Sequence, residues 1–182
     1  MTYSPSVGVA GPPPVISFFG RCGNSRNSSA MTTIWKWPLA KHIVYAPIFV
    51  DQTVTITQIG WLNGATVTGN GDAGIYSDVA GAPLTKLVST GATALSGGTA
   101  VQAVDIADYV LPGPACYWLA FTASSGDAYI TSWQESVVTN IGLGLMAETT
   151  ADFGLPATAT PVAPTYQNCP VVALLISPRT VW

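Results

Sequence analysis

The sequence contains few residues that could perform acid–base, nucleophilic or metal chemistry. His42 is the only histidine, so a triad that needs an imidazole base would have to be built around this residue. There is no Gly-x-Ser-x-Gly nucleophile elbow. The three cysteines, at positions 22, 116 and 169, lack the Cys-x-x-Cys spacing of zinc and redox sites and are interpreted as small buried residues. The sequence therefore predicts no enzyme, no cofactor and no metal site.

Carboxylates are the remaining candidates for catalysis, because glycan-cleaving enzymes use pairs of them. Most of the acids adjoin Gly, Ser or Ala in segments typical of turns, where Asp commonly serves as a turn former. A calcium loop that uses Asp72 and Asp78 stays open as an alternative, although the stretch lacks the regular ligand spacing of such loops. A glycan hydrolase would require two acids that face each other across a cleft.

Aromatic residues are the other possible functional groups, and six of them are tryptophans. Trp35 and Trp37 flank a lysine and precede a proline, a combination that suits an anchor buried in a subunit interface. Tyr129 and Trp133 belong to a short predicted strand and are expected to face a ligand, a sugar ring or a partner. Trp61 and Trp118 fit strand positions that face a core.

Composition favours a component of an assembly over a free monomer. Charged residues make up 8% of the chain and hydrophobic residues 48%, so exposed apolar area is expected to be buried against other subunits. Residues 1–50 carry four cations and no acid, whereas residues 51–152 carry all nine acids and one lysine. Four scattered cations are too sparse for a phosphate-binding patch, so no nucleic-acid partner is expected. A basic segment that docks on an acidic neighbouring subunit fits this distribution better.

Residues 1–38 are expected to form an extended N-terminal arm, because they are rich in Ser, Gly, Pro and Asn and include three successive prolines. The assembly contacts predicted in this arm are Phe18, Phe19, Arg21, Arg26, Trp35 and Trp37. The first residues lack the basic and apolar regions of a signal peptide, and the apolar runs are too short to span a bilayer. We therefore expect synthesis in a reducing cytoplasm and no membrane partner.

Residues 39–182 are predicted to form a single domain of about nine short strands, because short apolar runs alternate with Gly, Pro, Asp and Ser. Residues 116–122 have bulky side chains on both faces and predict a central strand. The apolar alternation changes phase near Gln58, which indicates a β-bulge. One helical turn is expected at residues 105–109, and residues 149–165 are expected to form a long loop that crosses a surface or reaches a neighbour.

Three motifs carry a resemblance to a known class of proteins. They are Gly-Ile-Tyr-Ser-Asp at residues 74–78, Gly-Ala-Pro at residues 81–83, and Pro-Gly followed by Tyr-Trp-Leu between residues 112 and 119. This pattern resembles the β-sandwich modules of structural proteins in tailed bacteriophage particles. The resemblance implies an all-β, antiparallel, jelly-roll-like β-sandwich.

The resemblance also implies a function. The expected protein is a non-enzymatic virion component that contacts other capsid or tail subunits as a homotrimer, made in the host cytoplasm. It would be a capsid decoration or cement protein, or the base module of a head or tail fibre. The alternative is a host-receptor or glycan-binding module of a tail fibre.

Overall fold

The computed structural model describes residues 36–134, 141, 144–165 and 168–176, together with the backbone at 15–16 and 31–32. Strands dominate this part of the chain, and almost no helix is present in it. The strands are β1 (Val15–Ile16), β2 (Met31–Thr32), β3 (His42–Val50), β4 (Val54–Leu62), β5 (Asn70–Val79), β6 (Ala82–Ser89), β7 (Thr93–Ala94), β8 (Val101–Leu111), β9 (Ala115–Ala123), β10 (Ser132–Gln134), β11 (Met146–Thr149), β12 (Asn168–Pro170) and β13 (Val172–Ile176).

The strands form three curled sheets in which every described pairing is antiparallel. The largest has six strands, in the order β11-β3-β9-β5-β6 with β7 also paired to β5. A four-stranded sheet has the order β1-β13-β4-β8, and a three-stranded sheet has the order β12-β10-β2. The prediction of an all-β, antiparallel fold is therefore confirmed at the level of these sheets.

The larger hydrophobic core takes side chains from both the six-stranded and the four-stranded sheet. Phe121 on β9 lies near its centre, with its ring 5.1 Å from that of Trp37 and 5.5 Å from that of Trp61. The Trp61 indole N–H donates to Oδ1 of Asn63 at 3.0 Å, so this buried ring keeps a polar partner. The prediction that Trp61 faces a core is confirmed.

Strand β9 lies between β3 and β5, at the middle of the six-stranded sheet. Phe121 and its alternate neighbours point into the larger core, while Trp118 and Ala120 point to the opposite face and belong to a second cluster. Both faces of the strand are therefore buried, as its bulky sequence predicts. Trp118 is 3% exposed, and its indole N–H donates to Oδ1 of Asp78 at 2.7 Å.

The second cluster is covered by residues 150–162, which we call the bridging segment. Leu155 and Ala159 of this segment pack against Tyr45, Tyr76 and Trp118 of the sheet. A glycine at position 74 is needed for this close approach, since a Cβ there would lie 2.7 Å from a backbone oxygen and 2.8 Å from a Leu155 methyl group. The loop expected at residues 149–165 thus crosses a surface, namely one face of the six-stranded sheet.

The bridging segment is hydrogen bonded to both edge strands of the six-stranded sheet. At one edge, Thr158 forms a bridge with Thr85 of β6, flanked by backbone bonds of 2.9 and 2.7 Å. At the other edge, Val162 and Ala147 of β11 exchange two backbone bonds of 2.9 and 2.8 Å. One irregular segment therefore supplies hydrogen-bond partners to two strands that would otherwise end the sheet.

The pairing of β4 with β8 contains an irregularity. The register shifts between Ile56 and Gln58, which confirms the bulge expected near Gln58. Between the pairs Gln58–Asp105 and Ile56–Tyr109, β8 runs four positions along its chain whereas β4 runs only two. The prediction of a helical turn at residues 105–109 is wrong, because these residues continue the strand through a bulge.

Two further expectations need correction. Trp37 is not an interface anchor, because its ring is 2% exposed within its own chain and its indole N–H donates to the His42 carbonyl oxygen at 3.1 Å. Cys116 is exposed, so its interpretation as a buried residue is wrong, whereas Cys169 is buried as expected. Parts of the predicted arm also lie on the sheets, since β1 pairs with β13 and β2 pairs with β10. For the residues of 1–35 that are outside the described part, the arm stays a prediction.

Replacing Trp118 with alanine should lower the free energy of unfolding by about 3 to 5 kcal/mol, because it removes a buried ring and leaves a cavity. Chemical denaturation followed by circular dichroism measures this change. Val79→Ala is the matched control, since Val79 is 50% exposed at the end of β5 and belongs to neither hydrophobic cluster, and it should cost less than about 0.5 kcal/mol. A loss below about 1 kcal/mol for Trp118→Ala would contradict its place in the second cluster.

Candidate functional site

Most of the predicted assembly contacts fall outside the described residues: Phe18, Phe19, Arg21, Arg26 and Trp35. Trp133 has its backbone in β10, paired with Cys169 and Met31, but its side chain is not described. Tyr129 is partly buried and forms an isolated bridge with Lys36. The described residues therefore bring the backbone of residue 129 beside residue 36, and a ligand-facing role for Tyr129 and Trp133 stays a prediction.

Next to Tyr129, the Lys36 ammonium and a carboxylate oxygen of Asp127 form an exposed ion pair at 2.8 Å. The hydrogen bond and charge attraction raise the pKa of Lys36 and lower the pKa of Asp127. Both side chains are more than half exposed, so water screens the pair and it adds little to stability. Its charges instead give the surface around Tyr129 a polar rim.

A second candidate is the polar cluster beneath the bridging segment. Both oxygens of Glu148, on β11, accept hydrogen bonds: the Tyr45 hydroxyl and the Thr160 N–H donate to Oε2 at 2.9 Å each, and the Thr160 hydroxyl donates to Oε1 at 2.8 Å. The Tyr76 hydroxyl donates to the Pro156 carbonyl oxygen at 2.6 Å. The Lys86 ammonium donates to the Leu155 carbonyl oxygen at 2.6 Å.

Burial keeps the two phenol groups of this cluster neutral. It raises the pKa of Tyr45 and of Tyr76 well above the ordinary phenol value, so both hydroxyls stay neutral donors. The Tyr45 and Tyr76 rings meet edge to face with 5.2 Å between centroids. Because the described donors of the cluster bind the segment or its neighbours, this arrangement fastens the bridging segment in place.

The hollow beside this cluster is not a cleft between elements. It encloses about 350 Å³ and is lined by seven consecutive residues, 150–156. A hollow lined by one continuous stretch results from the bend of the backbone in that stretch. Ligand sites usually gather side chains from several elements. We therefore assign no ligand to it.

The calcium alternative with Asp72 and Asp78 as joint ligands is wrong. The two residues lie six positions apart on β5, which separates their Cα atoms by about 20 Å along a strand. Asp78 accepts the Trp118 indole N–H, and Asp72 accepts the Leu155 N–H at 3.0 Å. Within the described part of the chain, no group of three or more His, Cys, Asp and Glu residues is close enough to hold a metal ion.

The third candidate is the outward side of the β4–β8 pair, which we call the contact face: Thr55, Gln58, Gly60, Leu62, Val101, Ala103, Asp105 and Val110. Cross-strand partners in it are Leu62 with Val101 and Gly60 with Ala103. The alternate residues of both strands point into the larger core, which places the contact face outward. Val101 is 70% exposed and Val110 56%, and Asp105 is its one charged side chain.

Sequence reasoning missed this face. The signal was the alternation in residues 101–106, where Val101, Ala103 and Asp105 alternate with residues that pack toward the core. Alternation identifies two faces of a strand but not which one is covered, so the apolar side chains at 101 and 103 could be assigned to a face only from the structure.

No protein-family model, curated protein or solved structure matches this chain. Among the residues that the structure describes, no helix has the length and apolar character needed to cross a membrane.

His42 should make stability depend on pH. It is 3% exposed, and burial lowers its pKa to about 4, whereas in the unfolded chain its pKa is about 6.5. Above pH 6.5 the imidazole is neutral in both the folded and the unfolded state, and its full contribution to the free energy of unfolding is present. As the pH falls from about 6.5 to about 4, only the unfolded state gains the proton, so up to about 3 kcal/mol is lost.

Denaturant unfolding at several pH values measures this loss, with His42→Asn as the comparison. Asparagine retains a group able to bond the Thr149 hydroxyl, which lies 3.1 Å from Nδ1 of His42, but it does not titrate. The difference between the two proteins should grow as the pH falls through this window. A difference that stays constant would show that His42 ionises equally in both states.

Proposed function

We propose that this chain is a non-enzymatic structural protein of a tailed bacteriophage virion that acts by subunit–subunit adhesion. Within the particle it is a capsid decoration or cement protein, or the base module of a head or tail fibre. The motifs at residues 74–78, 81–83 and 112–119 support this assignment by their resemblance to the β-sandwich modules of such particles. The shared core of the six-stranded and four-stranded sheets supports a jelly-roll-like sandwich.

The observation that carries the proposal is the contact face. Its outward residues are mostly apolar or small, and two of its valines have more than half of their surface exposed. Burying such side chains between subunits stabilises association by removing apolar area from water. The low charge of the chain supports the same use, because 8% charged residues provide few groups to keep an isolated monomer apart from its neighbours.

The partners are other virion proteins and further copies of the chain, with a homotrimer as the proposed assembly. The acidic residues 51–152 and the basic residues 1–50 support contacts between unlike regions of neighbouring subunits. Association would then have a salt-resistant apolar part and a salt-sensitive charged part. The proposed location is the virion, after synthesis in the host cytoplasm.

The purified protein should remain oligomeric in about 1 M salt, where charges are screened within about 3 Å. The double variant Val101→Lys/Val110→Lys should weaken self-association on the order of 100-fold, because two ammonium groups would have to lose water in the interface. Size-exclusion chromatography with light scattering, over a series of protein concentrations, measures both effects.

Val79→Lys is the matched control, because Val79 is 50% exposed and lies on β5, away from the contact face. It should associate as the natural protein does. A wild-type protein that is monomeric at all concentrations would overturn the proposal, as would hydrolysis of host polysaccharide that disappears when one acid is replaced. Equal weakening by Val79→Lys would show that the contact face is not the interface.

The second candidate function is a host-receptor or glycan-binding module of a tail fibre. The partly buried Tyr129 beside the exposed Lys36–Asp127 pair favours it, since sugar sites combine an aromatic ring with polar groups. Under this alternative, Tyr129→Ala combined with Trp133→Ala should reduce attachment to host cells at least about tenfold without changing the oligomer. Flow cytometry of labelled protein measures attachment, and Lys36→Ala tests the polar rim separately. Undiminished attachment would exclude these aromatics as the binding residues.

A further inference from the structure

Asp72 of the six-stranded sheet is hydrogen bonded to the middle of the bridging segment. This residue lies on β5 and is 3% exposed. Its Oδ2 accepts the Leu155 N–H at 3.0 Å, and its Oδ1 accepts the Thr90 hydroxyl at 3.3 Å. Gly154 passes directly over the carboxylate, since a Cβ there would lie 3.8 Å from Oδ2. The carboxyl group is therefore shielded from water by the segment that it binds.

The charged and titratable groups around Asp72 lie on three strands. Lys86 of β6 is the nearest cation, and its ammonium is bonded to the carbonyl oxygen of Leu155. On β5 itself, Tyr76 is electrostatically coupled to Asp72 and also to Glu148 of β11. On β9, the residue opposite Asp72 is the uncharged, buried Thr122. The groups that donate directly to the Asp72 carboxylate are therefore neutral. The Lys86 ammonium attracts the carboxylate while bonded to the neighbouring Leu155 carbonyl oxygen.

Three further charged or titratable groups lie in or beside the first residues of the segment. The Lys41 ammonium donates to the Ala151 carbonyl oxygen. His42 contacts Thr149, which directly precedes the segment. Asp152, within the segment, is exposed. These groups fasten or flank the first residues of the segment, whereas Asp72 fastens its middle.

We infer that Asp72 makes the bridging segment a pH-dependent clasp that closes more tightly in acid than at neutral pH. When the segment is closed, the ionised carboxylate has lost most of its water. When the segment lifts, the carboxylate regains that water. Ionisation therefore favours the open state, whereas the protonated acid is neutral and still accepts the Leu155 N–H.

The direction of the titration agrees with this geometry. Burial raises the pKa of Asp72, and the Leu155 hydrogen bond and Lys86 only partly oppose that rise. In the open state the pKa should return to about 3.9. The closed state therefore binds the proton more readily, and its advantage is lost as the pH rises through the closed-state pKa. Each pH unit by which the closed-state pKa of Asp72 exceeds its open-state pKa changes the equilibrium between the closed and open segment about tenfold.

Amide hydrogen exchange at pH 4 to 7, corrected for the intrinsic rate, tests the clasp. The protection of the Leu155 amide reports the opening of the segment, whereas the protection of the Phe121 amide in β9, followed in the same samples, reports global unfolding and the effect of His42 on it. We expect the Leu155 protection to fall as the pH rises in the natural protein, while the Phe121 protection does not fall with it. Asp72→Asn mimics the neutral acid, so its Leu155 protection should stay high and independent of pH.

Asp152→Asn is the matched control, because it removes an exposed carboxylate from the same segment, and it should keep the wild-type slope. A Leu155 protection that stays flat or rises with pH in the natural protein would overturn the inference, and so would a slope that persists in Asp72→Asn. If Asp72→Asn does not fold, an NMR titration of the Asp72 carboxyl carbon in the natural protein decides. A pKa at or below about 3.9 would contradict the clasp.

Discussion

Backbone hydrogen bonding between the bridging segment and the edge strands β6 and β11 is the constraint on which the second hydrophobic cluster depends. These strands stand at opposite ends of the six-stranded order, so a segment that pairs with both must cross the whole face between them. By crossing, it covers Tyr45, Tyr76 and Trp118, which would otherwise present three aromatic rings to water. One connection thus closes two strand edges and buries one sheet face.

The buried acids under the segment follow from the same constraint. An irregular segment over an apolar face carries backbone N–H and C=O groups that no regular ladder satisfies, and each unpaired group would cost about 1 to 3 kcal/mol. Asp72 and Glu148 accept from Leu155 and Thr160, and Tyr76 donates to Pro156. The polar side chains of the sheet therefore replace the missing ladder, which explains why acids occur in a face that is otherwise aromatic.

The sequence was sufficient for features that depend on local alternation. Bulky residues on both faces predicted the central position of β9, and the phase change predicted the bulge at Gln58. Features that depend on distant contacts were not predictable in this way. Trp37 enters the core because it meets Phe121, eighty-four positions along the chain, and residues 105–109 stay in a strand because they pair with β4. The contact face required knowledge of which sheet side the rest of the chain covers.

The bulge in β8 limits how copies of the protein can grow into larger structures. β8 ends the four-stranded sheet, and an unprotected edge of eleven residues would be a template on which further chains add without limit. The irregular stretch from Asp105 to Tyr109 breaks the even spacing that a fibre of added strands requires, and it carries two acids that repel an identical edge. A strand edge interrupted in this way is a poor template for polymerisation through the backbone, even in a chain of which 48% is hydrophobic.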